Sequence, residues 1–149
     1  MAEEFEFFMI GQKAALIRDG KCLIIEMASR PGFWELPGGR INKGELREQA
    51  LRREIKEELG LDDFEILGVV DYDVWHHKGD GTPFCATVHL IKNDFDKIIL
   101  SDESLRYEWI AENEIDNYKY FWEASPKFIK NGFKSYGFMK KDREIEKDA

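Results

Sequence analysis

Cysteine is almost missing from this chain: Cys22 and Cys85 are the only two among 149 residues. Both stand inside apolar strand-like runs without metal-ligand spacing, so buried thiols are the expectation. Histidine is as scarce, with His76 and His77 adjacent and His89 alone in a strand-like stretch, and no zinc constellation can be assembled from them. No apolar run approaches the length of a membrane span, and Met1-Ala2-Glu3-Glu4 lacks the basic and apolar segments of a secretory signal, so no membrane partner and a cytoplasmic protein are expected. An excess of positive charge is lacking too. With 22 basic against 30 acidic residues the net charge is -8, which argues against a surface that binds duplex nucleic acid by neutralising phosphates. A free nucleotide stays open, because a divalent cation would meet its charge in place of Lys and Arg.

Repeats and linker-like stretches are absent as well. What is present, 43% hydrophobic residues in a chain of this length, suits one domain with a real core. Lys13 to Arg18 and Cys22 to Met27 read as strands joined by Asp19-Gly20, a hairpin dipeptide. Phe33 to Leu36 reads as a short extended piece, and Pro37-Gly38-Gly39 is expected to end regular structure, followed by a loop that ends near Gly44-Glu45. Leu46 to Leu59 has no Gly or Pro and is followed by Gly60, which predicts a helix with a glycine cap. Phe64 to Val74 and Phe84 to Ile91 read as strands around a polar loop, with a further strand at Leu105 to Ile110. Asn113 to Asn117 suits a short turn or helix, and Ser125-Pro126 suits a helix start running to about Lys130. A single domain over residues 1–140 and a solvated charged tail over 141–149 are expected. Strands on both sides of a central helix predict an α/β fold with a mixed sheet packed between helices.

On a helical wheel at about 100° per residue, Gln49, Arg52, Arg53 and Lys56 gather as a solvent face. Glu54, Glu57 and Glu58 then fall opposite, at i, i+3 and i+4, flanked by Leu46 and Ala50 on one edge and Leu51, Ile55 and Leu59 on the other. Like charges at this spacing repel, and their desolvation would cost several kcal/mol each. Something positive must compensate: a Lys or Arg from another element, or a bound divalent ion.

From Gly39 the pattern continues as five residues, Glu45, seven residues, then Arg53-Glu54-Ile55-Lys56-Glu57-Glu58-Leu59-Gly60-Leu61. This resembles the signature box of the Nudix hydrolases at every fixed position, and average residue usage puts a chance match on the order of 10⁻⁹ per window. The lead-in Trp34-Glu35-Leu36-Pro37-Gly38-Gly39 is similar to that family's, as are Ser101-Asp102-Glu103 and Trp109-Ile110 to its later acidic loop and strand.

The resemblance implies the Nudix fold, an α/β/α sandwich around a central mixed β-sheet. It also implies magnesium, with manganese as the other ion, bound for hydrolysis of a diphosphate linkage in a nucleotide. Glu54, Glu57 and Glu58 match the metal ligands, with the Gly39 carbonyl as a backbone ligand, in keeping with the preference of hard cations for oxygen. Arg53 matches the residue that orients the catalytic carboxylates. Glu45, just before the helix, would favour its positive end and tie down the loop. The general base is Glu54 or Glu103, and Glu103 is also a candidate further ligand. Glu108, in a strand-like run, reads as a surface residue.

Substrate choice is expected outside the box, where aromatic rings stack on a base or sugar. Trp34, Tyr72, Trp75 and Phe84 are the candidates, with Phe33, Phe121 and Trp122 behind them, each competing with a plain core role. Trp75-His76-His77 lacks the proline that ADP-ribose-directed members carry beyond the box, and Tyr72 sits too early for the tyrosine of diadenosine polyphosphate hydrolases. By elimination the resemblance points to a MutT-like nucleoside triphosphate pyrophosphohydrolase, acting as monomer or homodimer. The alternatives are a pyrophosphatase for ADP-ribose or another sugar nucleotide, and a non-catalytic nucleotide-binding module. Loss of box glutamates would favour the module, and none is lost. An isomerase of the same superfamily would use a cysteine, but Cys85 has no motif around it.

Overall fold

The computed structural model describes residues 2–148; Met1 and Ala149, the outer ends of the acidic opening and the charged tail, lie outside them. Asp19 and Gly20 take positive φ angles of 48° and 73°, the geometry of a two-residue hairpin turn. They join β1 (Met9–Arg18) to β2 (Lys21–Met27), and Ile17 pairs with Cys22 in the antiparallel ladder. β3 (Trp34–Glu35) adds to β2. β4 (Gly38–Arg40) adds to β1, so the Pro-Gly-Gly segment expected to interrupt regular structure contains a strand. Gly38 makes this pairing feasible: its φ is 136°, and a Cβ there would lie 2.0 Å from the Gln12 carbonyl oxygen.

After α1 (Arg47–Leu59) come β5 (Glu65–His76), β6 (Pro83–Lys92) and β7 (Ser104–Ile110), then a 3₁₀ turn over Glu112–Asn117 and α2 (Ser125–Asp148). The sheet path is β3-β2-β1-β6-β5, with β4 also on β1 and β7 on β2. Among the ladders of the described residues only β1 and β6 run parallel, which makes the sheet mixed as predicted.

Alternation along β1 divides the core between the two helices. Ala14 and Leu16 join Leu51, Ile55 and Leu59 of α1, whereas Ala15 and Ile17 join Phe128 and Ile129 of α2. Each large aliphatic group so buried contributes about 1.5–3 kcal/mol. Helices on opposite faces of one sheet form the α/β/α sandwich. α1 opens one residue later than predicted, with Leu46 as its cap: the Gln49 side chain accepts the Leu46 N–H, and Gly60, at φ 68°, closes the other end. Leu46 is 70% exposed, so it does not flank the core as the wheel suggested.

α2 runs well past the predicted end near Lys130, through Asp148. Its last residues are exposed, as expected of a solvated stretch, but they are helical because straight-chain Lys, Arg and Glu side chains lose little freedom in a helix. Among the described residues no helix is long and apolar enough to cross a membrane.

Candidate active site

α1 and β4 meet where the box begins. Gly39 lies opposite Gln12 of β1, and a Cβ on it would stand 2.4 Å from the carboxyl carbon of Glu54, so the absence of a side chain lets that carboxylate rest against the strand. The Gly38 N–H donates to Glu58 at 2.7 Å. Arg53 does not sit on the solvent face. Its Nε and Nη2 donate to the two Glu45 oxygens at 2.7 and 2.8 Å, its Nη1 reaches Glu54 at 2.8 Å and Glu57 at 3.3 Å, and Nη2 also meets the Arg40 carbonyl at 3.2 Å. A planar guanidinium suits this many-sided contact where an ammonium would not.

Glu45 in turn accepts the Asn42 N–H and ties down the loop before α1. The Arg53 hydrogen bonds, followed by that of Asn42, hold its carboxyl below the usual range, and the same pairing raises the Arg53 guanidinium.

The wheel misplaces Glu57 as well: its side chain is 57% exposed, against 16% for Glu54. At about 100° per residue Glu57 falls nearer to Arg53 than to Glu58, so it stands at the rim of the stripe and turns toward solvent. Glu58 turns inward. Burial is the chief reason that its carboxyl is pushed up to about 7, and the charges of Glu54 and Glu103 add to the shift while Lys13 and the Gly38 N–H oppose it. Glu103, exposed on the loop before β7, is thus near enough to act on Glu58 across the gap between helix and loop.

A divalent cation fits this donor set, since the buried Glu58 carboxylate beside the charges of Glu54 and Glu103 is relieved by a hard cation and all are oxygen donors. Among the described residues no three acidic, His or Cys side chains yet stand in ligand geometry around one point. Arg53 pairs with both Glu54 and Glu57.

Glu58 and Glu103 face a cleft of about 900 Å³. Its far wall is aromatic: Trp75, Phe84 and Trp122 pack with ring centroids 5.1–5.3 Å apart. Phe121 lines it too. Two predicted substrate aromatics do not. Trp34 is 6% exposed and packs edge-on against Tyr118 in the core, because its place on β3 faces α2. Tyr72 is 66% exposed on β5, on an outward position of the strand alternation and away from the cleft.

Lys13 and Glu35 lie in the cleft floor and were not among the predicted site residues. Polar residues in strand-like runs were the only signal. Glu35 accepts the Trp122 N–H and the Ser125 hydroxyl, and burial raises its carboxyl despite the nearby Lys13 charge.

A family model described as the NUDIX domain matches residues 12–132. The nucleoside triphosphatase NudI of Salmonella paratyphi B is 34% identical over 116 residues, covering 67% of this chain and 79% of that protein. Among solved structures, the MutT NUDIX hydrolase from Burkholderia pseudomallei superposes with a TM-score of 0.67 at 26% identity, covering 85% of this chain and 98% of that one. The NUDIX hydrolase from Nitrosomonas europaea gives a TM-score of 0.70 at 21% identity over 84% of this chain and 88% of that one, a likeness of fold.

Proposed function

The chain belongs to the Nudix hydrolase family and is a pyrophosphohydrolase, and on that premise we propose that its substrate is a nucleoside triphosphate, cleaved with magnesium to a nucleoside monophosphate and pyrophosphate. The observation that carries this reading is the two-ended cleft, with carboxylates at one end and a three-ring aromatic wall at the other. A triphosphate has the same polarity, a charged chain joined to a flat base. The similarity to a relative named as a nucleoside triphosphatase supports it.

Nudix hydrolases use divalent metal ions. Here Glu54, Glu57, Glu58 and the Gly39 carbonyl would hold the ion, with Glu103 from the facing loop. When bound, the ion supplies neutralising charge at the phosphate oxygens and acidifies water.

The protein's own groups do the rest. Arg53, clamped by Glu45, fixes the orientation of Glu54. Glu54 accepts a proton from the attacking water, and Glu103 is the other candidate for this step. The water oxygen bonds to phosphorus as the bridging phosphorus–oxygen bond breaks, and pyrophosphate leaves with that electron pair. The aromatic wall stacks the base and so holds the reacting phosphorus toward the carboxylate end.

A substrate panel with magnesium tests this. Pyrophosphate release from nucleoside triphosphates should exceed monophosphate release from ADP-ribose and other sugar nucleotides by about tenfold or more in kcat/KM, a difference of about 1.4 kcal/mol. Preferential cleavage of sugar nucleotides would overturn the substrate assignment.

A further inference from the structure

Lys13 is out of keeping with its surroundings. It sits within β1 with 8% of its surface exposed, and its ammonium lies 4.4 Å from the centroid of the Trp122 ring. Glu35 and Glu58 feel its charge through space, yet among the described residues it makes no salt bridge and no hydrogen bond. Desolvating an ammonium without an acceptor is strongly unfavourable. Lys13 lines the cleft, so the missing acceptor is one that a ligand brings.

The placement of the side chain tells which part of the ligand it meets. Along β1, Gln12 turns to α1 and donates to the Arg47 carbonyl at 2.8 Å. Lys13 lies on the other face, beside the aromatic wall. Gly11 shares that face: a Cβ there would stand 3.0 Å from Phe84 and 3.2 Å from Trp122, so the rings lie directly against the strand next to the ammonium. Trp122 and Ser125 already donate to the two Glu35 oxygens. Lys13 is the charged donor free for a ligand beside the aromatic wall.

We propose that Lys13 is a specificity-determining residue that donates to a carbonyl oxygen of the stacked base, so that the cleft selects bases with an oxo group where adenine and cytosine carry an amino group. This rests on the nucleoside triphosphate reading above. An amino group would set donor against donor and leave the ammonium unpaired. A hydrogen bond from a charged donor makes the expected preference about 10–100-fold.

The test uses pairs that differ only at this group: inosine against adenosine triphosphate, and uridine against cytidine triphosphate, compared by kcat/KM. Binding of the matching monophosphates, read by quenching of tryptophan fluorescence, is measured in parallel. The wild-type protein should favour the oxo member of both pairs in both assays. Lys13→Met should level each pair, chiefly through KM, by removing the advantage of the oxo member. Lys13→Gln, whose amide both donates and accepts, should level them too and serves where the Met variant does not fold. Equal preference in the wild type overturns the proposal. So does a Lys13→Met variant that weakens both members alike, since that would put the ammonium on a phosphate. Absence of triphosphate turnover with the binding preference intact would remove the substrate assignment alone.

Discussion

Replacing Glu58 by Gln in protein stripped of metal by a chelator should make the fold more stable at neutral pH. The unfolded chain ionises this carboxyl near its ordinary 4.5, whereas the folded chain, which buries it beside Glu54 and Glu103, holds the proton up to about 7. Between those values the native state binds more protons than the unfolded one, so stability falls as pH rises through the window. Below the window Glu58 costs nothing. Above it the cost reaches about 3 kcal/mol, the raised pKa converted at about 1.4 kcal/mol per unit.

Gln keeps an oxygen for the Gly38 N–H and removes the titration. Denaturant melts of both proteins at about pH 5 and about pH 8 should therefore show the wild type losing about 2–3 kcal/mol relative to Glu58→Gln. Added magnesium should restore the wild type at the higher pH and leave the variant nearly unchanged. Parallel pH profiles for the two proteins would refute the burial argument. Equal stabilisation of both by magnesium would refute the assignment of Glu58 to the ion.

Glu57→Gln should leave the melting temperature almost unchanged, because the side chain is 57% exposed, while kcat with magnesium falls by about 100-fold or more; full turnover would remove Glu57 from the ligand set. Gly39→Ala introduces a Cβ 2.4 Å from the Glu54 carboxyl carbon and must displace that carboxylate. Its expected signature is a weakened magnesium dependence with a folded circular dichroism spectrum, and an unaltered magnesium titration would show that Glu54 needs no support from the strand.

Local chemistry made much of this fold readable. Asp19-Gly20 specified the hairpin because few dipeptides accept two positive φ angles, and Gly60 marked the end of α1 for the same reason. The glutamate spacing of the box singled out the acidic end of the cleft, although taking the three glutamates as one inward stripe passed over the roughly 100° between neighbours that turns Glu57 to solvent and Glu58 inward.

Long-range contacts were harder to foresee. β4 exists through its register with β1, and nothing in Pro37-Gly38-Gly39 announces a partner that lies far back in the chain. The length of α2 was hidden because its outer turns lack an apolar stripe. Trp34 and Trp75 look alike as letters, and only the fold sends one to the core and the other to the cleft. Glu35 and Trp122 are 87 residues apart, so their hydrogen bond had no sequence pattern to betray it.

β1 acts as a partition. Its even-numbered side chains from Gln12 to Leu16 face the half of the molecule that holds α1, and its odd-numbered ones from Gly11 to Ile17 face the half that holds the aromatic wall and α2. A point change at an odd position acts first on the aromatic half, and Lys13, whose charge also reaches Glu58, is where the two halves meet. A single-residue insertion or deletion in the same strand would exchange the two sets at once. Descendants of this enzyme thus keep the two sets apart only while the strand keeps its length.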